Sequence, residues 1–229
     1  MAKKISDDHI FYGFKLNEEQ KDYRDAIYSD DYDIIFNNSP SGTGKTIHAV
    51  ATAKLLVSEG RYNGLVYIFS TVEEEKCGYR PGDQTTKERN YLDPLIGALI
   101  TIGETPEKAI KQMSQDLLTS KKKSDSKSDP WIDALSHTFM RGTNIDNKVV
   151  IIDEAQNFTL DELKKVLTRI HDNCVVIVIG HDGQCDLTNK DASGFVRYIE
   201  HFKPMARCKV CTLTENFRGW ISNHADNLY

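Results

Sequence analysis

No stretch of this chain stays apolar for the ~20 residues that a membrane-spanning helix requires. Lys3 and Lys4 are followed by polar residues rather than by the apolar core of a secretory leader. Export and membrane insertion are therefore not expected, and a cytoplasmic setting is. Positive charge is not in excess either: 29 Lys and Arg against 34 Asp and Glu leave a net charge of −5, which excludes a uniformly basic face and allows at most a local basic stripe. A disulfide framework is also missing. The five cysteines, at positions 77, 174, 185, 208 and 211, are odd in number and irregularly spaced, as expected of reduced thiols. Cys208-Lys-Val-Cys211 lacks a second C-x-x-C or H-x-x-x-H pair to complete four zinc ligands, and on a strand its two thiols would face opposite sides. No internal repeat is present.

What remains is the composition of an ordinary globular chain: 229 residues, 39% hydrophobic and 28% charged. That length buries enough surface for one domain without a metal or disulfide staple. Residues 1–33 read as a polar N-terminal arm. Within it Leu16–Ile27 has helical character, with Asn17 as N-cap and Glu18 and Glu19 in the first turn. Residues 34–229 read as the main domain. Short Val-, Ile- and Tyr-rich runs at Ile34–Phe36, Leu65–Phe69, Val149–Ile152, Val175–Ile179 and Lys209–Leu213 have the form of strands buried on both faces. Between them lie segments long enough for helices, at Thr46–Glu59, Tyr91–Ile102, Pro106–Leu118, Leu160–Ile170 and Ser193–Phe202. This alternation predicts an α/β fold with a mainly parallel sheet covered on both sides. The Lys/Ser/Asp-rich stretch 119–130 reads as an exposed insertion.

The residues that carry chemistry begin directly after the first predicted strand. Ser39-Pro40-Ser41-Gly42-Thr43-Gly44-Lys45-Thr46 matches G-x-x-x-x-G-K-[ST], with serine in place of the first glycine. Inward-pointing backbone N–H groups and the following helix terminus would cradle phosphate oxygens, and Gly42 and Gly44 allow the backbone geometry this needs. Lys45 can reach the β- and γ-phosphates of a bound nucleotide, and Thr46 can ligate Mg²⁺. A second apolar strand, Val149–Ile152, ends in Asp153 and Glu154. At the carboxyl end of a parallel strand Asp153 would help hold Mg²⁺, while Glu154 would act on the attacking water. Beyond the strand Val175–Ile179, Gln184 is placed to sense the γ-phosphate, with His181 or Asp182 assisting. Near the C-terminus, Arg218 is a candidate to neutralise charge on the transferring phosphoryl group.

Taken together these segments resemble the PhoH family of P-loop ATPases, itself similar to the first motor lobe of superfamily 1 helicases. The resemblance runs from about residue 16 to residue 229. It includes Gln20-Lys-Asp-Tyr-Arg-Asp-Ala-Ile27, Gly78-Tyr-Arg-Pro-Gly-Asp83, Phe139-Met-Arg-Gly142, Asp153-Glu-Ala-Gln-Asn157 and Gln184-Cys-Asp-Leu187. It implies a RecA-like fold, ATP hydrolysis with Mg²⁺, an adenine contact from Gln20, and action on RNA or single-stranded nucleic acid, with Arg141 and Lys121–Lys123 as candidate contacts. It also implies a homo-oligomeric, hexameric ring. Since the chain has sequence for only one motor lobe, Arg218 would then complete a neighbour's site. Ser39 and His181 depart from the family pattern, and the 119–130 insertion is additional to it. Two other functions share the phosphate loop: a nucleotide-dependent regulatory or assembly module that touches no nucleic acid, and a small-molecule kinase. The kinase would need an acceptor pocket and would normally lack both the Asp153–Glu154 pair and Gln184.

Overall fold

The computed structural model describes residues 5, 11–71, 90–111, 130–139 and 144–226. Arg141, Lys121–Lys123, the Gly78–Asp83 stretch and all but the last residue of the 119–130 insertion lie outside them.

Six strands form one sheet in the order β3-β2-β4-β5-β1-β6, and every pairing is parallel. They are β1 (Ile34–Asn38), β2 (Leu65–Phe69), β3 (Ile132–Ser136), β4 (Val149–Ile152), β5 (Val175–Gly180) and β6 (Cys208–Cys211). The helices are α1 (Glu18–Tyr28), α2 (Lys45–Ser58), α3 (Asp93–Thr101), α4 (Pro106–Ala109), α5 (Leu160–Leu167), α6 (Phe195–Phe202) and α7 (Trp220–Asp226). Strands β2, β4 and β5 are buried at every residue, as continuous apolar runs in a sheet covered on both faces should be. Successive side chains point to opposite faces. Ile35, Tyr67, Ile151 and Ile177 therefore join the core under α1, α2 and α3, while Phe36, Val66, Val150 and Val176 join the one under α5 and α6.

Five of the six strands fall where the sequence predicts them. The sixth, β3, is an addition. Its sequence Ile-Asp-Ala-Leu-Ser alternates between buried and half-buried positions because β3 lies at the sheet's edge, so it lacks the continuous apolar run that marks the others. Strand β6 occupies Cys208–Cys211 rather than Lys209–Leu213. Its two thiols do face opposite sides: Cys211 packs into one core and Cys208 against the other. Among the described residues no cluster of three His, Cys, Asp or Glu is placed to hold a metal, and no helix is long and apolar enough to cross a membrane.

Two helix starts are set by reciprocal caps. Asn17 accepts from Gln20 N–H while Gln20 accepts from Asn17 N–H, and Thr159 and Glu162 do the same for α5. The first of these caps also bears on the site, because Gln20 faces the phosphate loop.

Candidate functional site

Parallel strands bring their carboxyl ends to one edge, and β5 lies between β1 and β4. The loops leaving β1, β5 and β4 therefore meet. From β1 the chain passes through residues 39–44 into α2, whose N-cap is Gly44 in the left-handed region, with no side chain capping the first turn. The helix thus begins with unsatisfied N–H groups and the positive end of its dipole facing the loop, which is an anion receptor. Gly42 also has φ +82°, and a Cβ there would collide with the Asn216 amide. Ser39, by contrast, does not adopt a positive φ and needs no glycine. Its buried hydroxyl accepts from Leu213 N–H at 2.7 Å and donates to Asn37, so the substituted position ties the loop to the segment beyond β6.

Within the loop, Lys45 Nζ donates to Pro40 C=O at 3.3 Å, and Thr43 Oγ1 donates to the same carbonyl at 3.0 Å. Burial pushes the Lys45 pKa down and Arg218 adds to this, while Glu154 and Asp153 pull the other way. Gln20 is buried, and its amide donates to Thr43 C=O at 3.3 Å.

Asp153 leaves β4 almost completely buried. Its Oδ2 accepts from Tyr67 Oη at 2.6 Å and from Thr46 Oγ1 at 3.1 Å, and its Oδ1 accepts from Glu154 N–H at 2.9 Å. Burial, with the Glu154 carboxylate beside it, raises the Asp153 pKa to about 6, against the lowering effect of the Tyr67 bond. Glu154 follows in the left-handed region at φ +52°, an uncommon conformation for a residue with a side chain. There its carboxylate accepts from Gln156 Nε2 at 2.6 Å. The same Gln156 amide donates to Gln184 C=O at 3.2 Å and accepts from His181 N–H at 3.0 Å. Gln156 is thus a buried brace between the acidic pair and the loop after β5.

At the far end of the chain, Phe217 N–H donates to Gly42 C=O at 2.9 Å, and Arg218 N–H donates to Asn216 Oδ1 at 2.8 Å. Glu19 accepts from Thr214 N–H at 2.7 Å, and Glu215 accepts from the Asn17 amide at 2.9 Å. This strap lays Arg218 over the phosphate loop of its own chain.

The groups enclose one cavity of about 730 Å³, within the range of small-ligand sites. One end is lined by Ser41, Gly42, Gly44, Lys45, Thr46, Glu154 and Arg218. The other is lined by Phe14, Leu16 and Gln20, by Ile47 and His48 of α2, and by Pro94 and Ala98 of α3. A polar anion receptor thus continues into a largely apolar slot.

Most of the residues singled out from the sequence meet here, with one difference. Gln184 sits exposed in the turn after β5, outside the cavity lining, and reaches the site only through its backbone carbonyl. Arg218 lines the cavity of its own chain. Tyr67 and Gln156 were not foreseen. Gln156 follows the acidic pair by two residues, a spacing that could have drawn attention to it. Tyr67 carries no local signal, because its partner lies 86 residues away.

The donors next to Lys45, a threonine hydroxyl and a carboxylate, are hard oxygen ligands of the kind Mg²⁺ takes together with phosphate and water. That set fits the ion. Replacing Tyr67 by Phe keeps the packing and removes the bond that holds the Asp153 pKa down. The carboxyl then stays protonated to higher pH. The Mg²⁺ concentration for half-maximal nucleotide binding is expected to rise in Tyr67→Phe, more at pH 6.5 than at pH 8; an equal rise at both would contradict this link.

A family model described as PhoH-like protein matches residues 15–224. A PhoH-like protein of Mycobacterium leprae is 33% identical over 186 residues, covering 80% of this chain and 48% of that protein. A PhoH-like protein of Synechocystis is 36% identical over 176 residues, covering 76% and 48%. The chain therefore spans about half the length of these curated relatives. Among solved structures, the large terminase of a thermophilic bacteriophage superposes with a TM-score of 0.55 over 94% of this chain and 51% of that one, at 10% identity, which is a likeness of fold.

Proposed function

The chain belongs to the PhoH-like family, and on that premise we propose that it is a Mg²⁺-dependent ATPase that acts on RNA or single-stranded nucleic acid. One observation carries the hydrolytic part: the phosphate loop, Glu154 and Arg218 line a single cavity within one chain, and Asp153 stands behind its wall, bonded to Thr46. Backbone N–H groups of residues 42–46 and the Lys45 ammonium hold the β- and γ-phosphates. Gln20, Phe14 and Leu16 receive the base. Thr46 and Asp153 would hold the ion, which when bound offsets negative charge on the phosphate oxygens. Glu154 orients the attacking water and takes its proton as the water oxygen bonds to the γ-phosphorus. The bond to the ADP oxygen breaks, and Arg218 meets the charge that spreads over the transferring group. The left-handed backbone of Glu154 and its bond to Gln156 hold the carboxylate at the cavity wall for this task.

The nucleic-acid part rests on the family. With net charge −5, contact would come from a local stripe, for which Arg141 and Lys121–Lys123 remain the candidates. Ring assembly is part of the proposal, but it is not needed to supply Arg218.

Steady-state phosphate release, measured with and without single-stranded RNA and DNA over a range of protein concentrations, tests this reading. Stimulation by RNA or single-stranded DNA is expected. Indifference to both would favour a regulatory module, and a phosphorylated small molecule in place of free phosphate would mean a kinase.

Arg218→Ala is expected to lower kcat by about 10³-fold or more while leaving ADP affinity unchanged. Mixing Arg218→Ala with Lys45→Ala protein distinguishes in-chain from between-chain action. No recovery is expected, because each intact arginine serves its own chain. Recovery of activity in the mixture would place the arginine in a neighbour's site.

A further inference from the structure

Among the buried side chains that line the apolar end of the cavity, two are polar, Gln20 and His48. Lys15, Asp93 and Thr101 also line that end, but they are exposed at its rim. The Gln20 amide is engaged at both ends: its oxygen accepts from Asn17 N–H at 3.2 Å, and its nitrogen donates to Thr43 C=O at 3.3 Å. His48 differs. It stands one turn into α2 from Gly44, is 4% exposed, and has its Nδ1 sealed from solvent with no hydrogen-bond partner among the described residues. Leaving a buried polar atom unpaired costs about 1–3 kcal/mol. An apolar side chain of similar size would fill the same space without that cost.

We propose that His48 is a specificity-determining residue of the nucleotide cavity, where its imidazole hydrogen-bonds the edge of adenine beside Gln20. This deepens the ATPase reading and rests on it. The geometry sets two polar tips together: a Cβ built on Gly44 would meet His48 Nε2 at 3.0 Å and Gln20 Nε2 at 3.6 Å. Both nitrogens therefore converge where the loop opens into the apolar slot, and glycine at position 44 leaves them uncovered. The Phe14 ring packs edge-on to the imidazole with centroids 5.8 Å apart, and Phe11 lies at 6.4 Å. A neutral imidazole has one donor and one acceptor nitrogen. The proposal puts the proton on the sealed Nδ1 and leaves the lone pair of Nε2, the nitrogen beside Gly44, toward the cavity. Nε2 is then the acceptor. It takes the 6-amino N–H of adenine, while the second N–H of the Gln20 amide donates to an adjacent ring nitrogen. Guanine presents an oxygen at the 6-position, which sets a lone pair against a lone pair.

The test is the affinity of wild type, His48→Phe and His48→Gln for ATP, GTP and inorganic tripolyphosphate, each with Mg²⁺. Wild type should prefer ATP to GTP. His48→Phe should bind ATP about tenfold more weakly, the equivalent of one net hydrogen bond, with tripolyphosphate unchanged. His48→Gln, which retains an acceptor, should recover part of the loss. Equal losses for ATP and tripolyphosphate would mean that His48 merely props the loop, and an unchanged ATP-to-GTP ratio would equally overturn the inference. Should His48→Phe fail to fold, the wild-type preference and His48→Gln still decide. Wild type that binds neither ATP nor tripolyphosphate would instead overturn the ATPase reading itself.

Discussion

Replacing Lys45 by Ala is expected to weaken ATP binding by about 100-fold or more and to abolish hydrolysis. Charge-assisted hydrogen bonds contribute about 1.5–3 kcal/mol each, and about 1.4 kcal/mol is a factor of ten in affinity. The ammonium is the buried cation at the phosphate end of the cavity. The loop itself should survive its loss, because other bonds hold it: Ser39 N–H to Gly180 C=O, Phe217 N–H to Gly42 C=O, Gln20 to Thr43 and Thr43 to Pro40. Thermal stability should hold or rise. A lysine whose pKa is lowered by burial is one whose charge the folded state disfavours, so removing it relieves a cost that only a bound phosphate would offset. Calorimetric titration with ATP, paired with a melting curve, checks both halves. Lost binding in a variant that melts far below wild type would indicate collapse of the loop rather than loss of a phosphate contact.

Glu154→Gln is expected to separate binding from turnover. Glutamine has the size of glutamate and keeps an oxygen to accept from Gln156, so the brace between the two loops persists. It cannot take a proton from water. General-base catalysis typically contributes about 10²–10⁴-fold, and kcat should fall by that much while ATP affinity stays within a small factor of wild type. The protein should then accumulate with ATP bound. Normal hydrolysis by Glu154→Gln would remove Glu154 from the base role and leave Gln156 bracing a carboxylate of no catalytic consequence.

How far this site could be read from the sequence depended on how local its chemistry is. The phosphate loop is eight consecutive residues between a strand and a helix, and it folds as expected, including Ser39 in the glycine slot, which needs only an ordinary backbone conformation. The buried strands were legible because a parallel sheet covered on both faces demands unbroken apolar runs. Edge strand β3 was not, since Asp133 breaks the run on its less covered face and Ser136 ends it. Contacts between distant segments left no trace in spacing. Tyr67 and Asp153 meet because β2 and β4 are neighbours in register, with Tyr67 opposite Ile151. Nothing in the spacing around His48 marks it out within the predicted helix Thr46–Glu59. Gln184 was expected to reach the phosphate from the end of β5, yet the turn at Asp182–Gln184 carries its side chain outward and leaves Gln156 to join that loop to Glu154. The length of the chain suggested that Arg218 belonged to a neighbour's site. The pins from Thr214 to Glu19 and from Asn17 to Glu215 hold it over the phosphate loop of its own chain.

Phosphate release from ATP with Mg²⁺, followed for wild type and for Lys45→Ala purified in the same way, is the most direct test. Release by wild type that needs Mg²⁺ and disappears in the variant is the expected result. No release by folded wild type, or the same release from both proteins, would contradict the assignment of this cavity as an ATPase site.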